Sequence, residues 1–302
     1  MRGSDESSAT NGAGYSLEQP ELTPSKVDAL IRLLADEDPK IHAVVREHLI
    51  GAFDYARPYL VESSRRHHDT RVRSSASRFL VDMGREDTLR EWERFVERGL
   101  VDPSSMDLET GVLLISATEY PDLDQDKWRD ILDDCGVLLE KNLEMSREPS
   151  VVVSKLNHLL FREMGLKGNR QNYYDPQNSY VHRVLERRLG IPISMSVVTL
   201  LVAQRIGLEL EGVGLPGHFL LRYRSGKKEV YIDPFDGGRV WSLEDCLHHL
   251  HGQGYGFREE YFRAFDTREI LIRILANLLG VYNQREDRGR CNRVTRMLEV
   301  LQ

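Results

Sequence analysis

The chain has 302 residues, of which 40% are hydrophobic and 29% charged, and carries a formal net charge of −7. Such a length fits two domains or one large domain with extensions, and the acidic balance argues against non-specific nucleic-acid binding. Three widely spaced cysteines, Cys135, Cys246 and Cys291, exclude a disulfide frame and a zinc ribbon and fit a reducing compartment.

Residues 1–22 are rich in Ser, Gly, Asp, Glu and Asn, and they read as a disordered tail without an apolar signal core. Residues 23–100 read as helices with a trace of duplication. Segments led by Asp38 and by Asp69 superpose Ile41 on Val72 and Leu49 on Leu80. Each pairs an Asp cap with an apolar stripe at helical spacing, so the region resembles HEAT-type repeats. A plain helical bundle is the alternative.

Helices continue through residues 107–145, broken near Pro121. Cys135 falls on the apolar stripe of Trp128, Ile131, Leu132, Leu138 and Leu139, where a thiol is a small core residue. Another amphipathic helix covers Val151–Phe161 and stops at Gly165, and a short one covers Tyr180–Arg188. Ser194–Ile206 is apolar nearly all round, the mark of a buried helix. Pro192 suits its first turn, Ser194 its cap, and Gly207 its end. The uncharged run Leu189–Gln204 is shorter than the roughly 18–20 residues that span a bilayer, so the expected location is the cytoplasm.

Two strands follow, His218–Tyr223 and Glu229–Asp233. A two-residue turn at Ser225-Gly226 sets His218 directly opposite Asp233, whereas a four-residue loop leaves them diagonal. In either register both side chains leave one face of the sheet within mutual reach. His248, His249 and His251, with Cys246, lie on a further helix, and without a second ligand cluster they read as a solvated face. Arg65, Arg66, His67, His68, Arg71 and Arg73 read as a solvated basic run. A closing helix pair, Arg268–Tyr282 and Val294–Leu301, vaguely resembles one tetratricopeptide unit.

A helix N-terminus, a histidine and an aspartate together form the frame of a nucleophilic site. The helix end stabilises an anion, His218 is the base, and Asp233 fixes its tautomer. The nucleophile is the missing part. Ser194 lies nearest the helix start and Ser196 two residues on, and a hydroxyl is far weaker than a thiol. No phosphate-cradling Gly loop is present.

The strings NSYVHRVLERRLGIPISMSVV, GVGLPGHFLLRY and IDPFDGGRVWSLEDC resemble the transglutaminase-like superfamily, in particular its SirB-type (transglutaminase core 2) branch. YYDPQNSY, REILIRILANLLGVY and LLISATEYPDLD match it too, so the resemblance covers roughly residues 107–290. It implies a helix-rich α+β protein with a papain-like core, in which a buried helix packs on an antiparallel sheet. By this resemblance His218 and Asp233 take the histidine and aspartate positions. The cysteine position falls near Ser194, or as early as Pro192, and neither is a cysteine. The expected organisation is a tail (1–22), a helical region (23–100), a transglutaminase-like domain (101–265) and a helix pair (266–302).

The expected function is a non-catalytic binding or scaffold protein with a protein or peptide partner and no cofactor, metal, nucleic acid or membrane. One alternative is an amide or ester hydrolase using Ser194, His218 and Asp233, with Asn178, Tyr180 and Ser196 as binding residues. The other is a helical-repeat interaction protein.

Overall fold

The structure, a computed structural model, describes residues 22–143, 148–226 and 228–302. The expected tail lies outside them except for Leu22. Contacts divide the chain into two compact units between Met83 and Gly84. This division falls inside a helix, so residues 84–100 belong to the second unit.

The first unit holds α1 (Pro24–Leu33), α2 (Pro39–Gly51), α3 (Phe53–Arg66) and the beginning of α4 (Thr70–Val101). Val27, Ile31, Val45, Leu49, Leu60, Val72, Ala76 and Phe79 make its core. Asp38 Oδ1 accepts the Lys40 N–H at 2.8 Å and Asp69 Oδ1 accepts the Arg71 N–H at 2.8 Å. These carboxylates satisfy donors that the first turn of a helix leaves open.

The second unit contains α5 (Leu108–Glu119), α6 (Gln125–Leu143), α7 (Pro149–Asn157) and α8 (Val181–Arg187). Next come α9 (Pro192–Gln204), α10 (Leu243–Gly252), α11 (Thr267–Gln284) and α12 (Arg288–Val300). Short strands β1 (Lys167–Gly168) and β2 (Leu189–Gly190) pair in parallel. An antiparallel sheet takes β3 (Leu210–Val213), β4 (Leu220–Ser225), β5 (Lys228–Asp233), β6 (Arg239–Trp241) and β7 (Ala264–Phe265), in the order β6-β5-β4-β3-β7. Among the described residues no helix is long and apolar enough to cross a membrane.

Helix α9 is buried from Pro192 through Ala203. Its Val197, Val198 and Leu201 share one core with Leu221, Tyr223 and Ile232 of the sheet, and each such side chain stabilises the fold by roughly 1.5–3 kcal/mol. The other sheet face packs Leu220 and Tyr231 on Cys246 and Leu250 of α10. Period-two alternation thus gives each strand one face toward α9 and one toward α10.

The hairpin register pairs Leu221 with Ile232, and its last pair is Ser225 with Lys228. Asp233 is therefore diagonal to His218, the second of the two expected arrangements, and Ser225 belongs to the ladder and not to the turn. β4 starts at Leu220 because the His218 N–H turns back to the Leu215 carbonyl at 3.0 Å.

Candidate functional site

Asp233 ends β5 and opens a 3-10 turn over Pro234–Asp236. Its Oδ1 accepts the N–H groups of Phe235 (3.0 Å) and Asp236 (3.2 Å). Its Oδ2 lies 2.8 Å from His218 Nε2. A carboxylate only accepts, so it holds the imidazole proton on Nε2 and leaves Nδ1 as the ring's acceptor. The side chains are 10% and 4% exposed. Behind the turn, Asn157 Nδ2 donates to the Gly238 carbonyl at 2.7 Å. Gly238 has φ +78, and a Cβ there would collide with the Asn157 side-chain amide, so only glycine fits.

Rings surround this pair. Trp241 lies 5.5 Å from His218 and 5.5 Å from His249, and His249 lies 5.6 Å from His218. His249 Nε2 is 3.2 Å from the Pro216 carbonyl. Phe235 stands edge-on to His218 at 6.4 Å and to Tyr173 at 6.0 Å. The Arg170 guanidinium covers Phe235 and pairs with Asp236 at 2.8 Å. The indole N–H of Trp241 is buried without a partner.

The helix start is built differently. Ile191, not Ser194, is the N-cap of α9, and Pro192 holds the first helical position. Proline fixes φ there and lacks the N–H the first turn would leave open. Ser194 sits one turn in, fully buried. Its hydroxyl donates to the Asn178 carbonyl at 2.5 Å and accepts the Ile191 N–H at 3.1 Å. His218 is not among its partners.

Asn178 is also fully buried. Its Nδ2 donates to the carbonyls of Asn172 (2.8 Å) and Tyr173 (3.1 Å), and its Oδ1 accepts from Asn169 at 3.0 Å. Tyr180 shares a 2.6 Å hydroxyl contact with Tyr282; burial pushes the Tyr180 phenol well up and the Tyr282 phenol to about 12. Ser196 is buried with an unpartnered hydroxyl. The expected binding residues Asn178, Tyr180 and Ser196 therefore lie inside the protein, the first two committed to internal hydrogen bonds. Nearby, burial among Tyr120, Trp128 and Tyr180 lowers the His182 imidazole to about 4.

Of the residues singled out in the sequence, His218 and Asp233 are brought together, and Ser194 is hydrogen-bonded to neither. Trp241 and Phe235 were missed, and His249, expected on a solvated face with His248 and His251, is half-buried against His218 and Trp241 because α10 packs on this side of the sheet. Trp241 pairs with Tyr231 across the β5–β6 ladder, and the strand alternation that placed Asp233 also places Trp241 on its face. Among the described residues no cluster of three His, Cys, Asp or Glu is arranged to hold a metal ion. Cys246 is fully buried and burial pushes its thiol up to about 12, the condition of an inert core thiol. Two cavities, ≈ 530 Å³ beside β3 and ≈ 960 Å³ beside β6, are lined by neither His218 nor Asp233, though Asn157 borders the second.

Residues 126–276 match the family model described as transglutaminase-like superfamily. A UPF0162 protein of Xylella fastidiosa (strain Temecula1) is 38% identical over 188 residues, covering 60% of this chain and 67% of that protein. A second, from strain 9a5c, is 37% identical over 200 residues, covering 63% and 71%. F-box only protein 21 of Mus musculus is 37% identical over 140 residues, which are 44% of this chain and 22% of that protein. No solved structure matches.

Proposed function

The chain belongs to the transglutaminase-like superfamily, and from that premise we propose that it is a binding or scaffold protein in which the domain no longer runs acyl chemistry. The observation carrying this reading is the Ser194 hydroxyl. It is buried, donates to the Asn178 carbonyl and accepts from Ile191, so it serves the helix start instead of His218. A nucleophile must lie within hydrogen-bond reach of its base and be open to substrate. Proline at the other candidate position, Pro192, has no side-chain nucleophile at all.

The His218–Asp233 pair then fixes the mouth of the sheet, and the rings beside it offer a surface to a protein or peptide partner in the cytoplasm. The matching Asp38 and Asp69 carboxylates support a subsidiary reading of residues 23–100 as a degenerate HEAT-like pair. The α11–α12 pair supports a TPR-like reading of the C-terminal segment.

A fluorophosphonate probe tests the main reading. The wild type, Ser194→Ala and His218→Ala should label equally and weakly. Strong labelling of the wild type that both substitutions abolish would restore the hydrolase.

A further inference from the structure

Strand β6 ends the sheet, and its outer edge meets no other strand among the described residues. Its inner edge pairs Asp233 with Arg239, Ile232 with Val240 and Tyr231 with Trp241. Pro234 follows Asp233 and has no N–H to give. The ladder bonds at this end therefore run between Asp233 and Arg239 themselves. Hydrogen-bonded and non-hydrogen-bonded pairs alternate in an antiparallel ladder, so Trp241 also bonds inward and Val240 turns both its N–H and its C=O outward. Among the described residues neither group has a hydrogen-bond partner.

The Val240 side chain is 49% exposed. With Val153 and Val230 it forms the apolar part of the lining of the cavity of ≈ 960 Å³, whose charged lining is balanced between Glu148 and Glu229 on one side and Arg162 on the other, with Arg239 beside it. Edge strands are usually blunted by Pro, by an inward charge or by a covering element. Here the three-residue length of β6 and the charge of Arg239 at its start are the limits, and Val240 carries neither a charge nor a proline.

We propose that the outer edge of β6 is a docking site for an extended peptide segment of a partner protein, added as a further strand beside Val240. The occupant follows from the edge. An outward N–H and C=O on one residue at strand spacing are matched by a second extended backbone, which supplies acceptor and donor together. The Val153, Val230 and Val240 side chains ask for a β-branched or other apolar side chain at alternate peptide positions. The neighbouring Arg239 is 60% exposed, stacks on Trp241 and lies 4.0 Å from Asp245, so the edge carries no strong net charge and suits an uncharged segment. The docked strand would run next to the strand that hydrogen-bonds Asp233. This inference rests on the binding-module reading and names the partner's chemistry.

The test adds acetyl-Thr-Val-Thr-Val-Thr-amide at millimolar concentration to the full chain. Hydrogen exchange is read in the segment containing Val240, and mass spectrometry follows the peptide itself. Exchange should slow by about tenfold. The same peptide N-methylated at alternate residues should give no protection, since it keeps the side chains and loses donors. Val240→Asp keeps the outward N–H whose exchange is read and puts a charge beside Val153 and Val230, and it should abolish protection without changing the melting temperature. Should that variant fail to fold, the N-methylated peptide carries the same comparison. Unchanged exchange with the plain peptide overturns the docking site and leaves the non-catalytic reading standing. Docking with cleavage of the peptide does the reverse. Protection of Val240 that grows with protein concentration alone overturns the proposed partner in favour of a second copy of the chain.

Discussion

The hairpin mouth and the α8–α9 corner hold comparable polar residues and use them in opposite ways. At the mouth, Asp233 reaches His218 and two backbone N–H groups at once. At the corner, Ser194 spends its hydroxyl on backbone, Ser196 has no partner, and His182 has a buried Nδ1 without one. One region gathers its polar groups around a histidine, while the other spends them on the backbone of the helix start. The same carboxylate that orients the His218 ring also satisfies the backbone N–H groups of its own turn, so the pair has a structural role whatever its chemistry.

The strongest way to break the contrast is Asp233→Ala. It takes the partner from His218, whose side chain is 10% exposed, and from the N–H groups of half-buried Phe235 and exposed Asp236, and should cost about 2–3 kcal/mol in chemical denaturation. A loss below about 1 kcal/mol would mean that the mouth is not held this way.

Acid sharpens the contrast from the other side. Unfolded His182 takes a proton near its ordinary value of about 6.5, whereas the folded side chain resists until about 4. The unfolded chain therefore binds more protons between these values, and stability falls as pH drops through that window, by about 2 kcal/mol for this residue. His182→Leu should flatten that part of the stability–pH curve, and a parallel curve would count against the assignment.

The smallest effects come from the two serines. Ser194→Ala strips the Asn178 carbonyl and the Ile191 N–H of a partner and should cost about 1–2 kcal/mol. Ser196→Ala removes an unanswered hydroxyl and should be neutral or stabilising by up to about 1 kcal/mol. Equal losses at both positions would erase the distinction drawn at this corner.

These regions also differ in how much of them the sequence disclosed. The buried helix was legible because Val197 through Ala203 leave no polar face, and the shared face of His218 and Asp233 followed from strand alternation alone. Register was not, since the two expected arrangements of the hairpin have nearly the same residue signals. Ser194 looked like a cap by residue type, but Pro192 moves the cap to Ile191. Its contact with Asn178 crosses 16 residues, a distance no local pattern encodes. Trp241 was within reach of the same alternation once β6 is paired with β5, whereas His249 read as solvated because only the packing of α10 on the sheet brings it to His218.

The Ser194–Asn178 bond also sets what the helix start tolerates. A cysteine at 194 would exchange a strong hydroxyl donor for a weak thiol one, loosening the loop that Asn178 organises. A cysteine at 192 would surrender the proline that starts the helix. A thiol at either place therefore costs stability before it offers any chemistry, and the start of α9 is held to its present residues by packing alone.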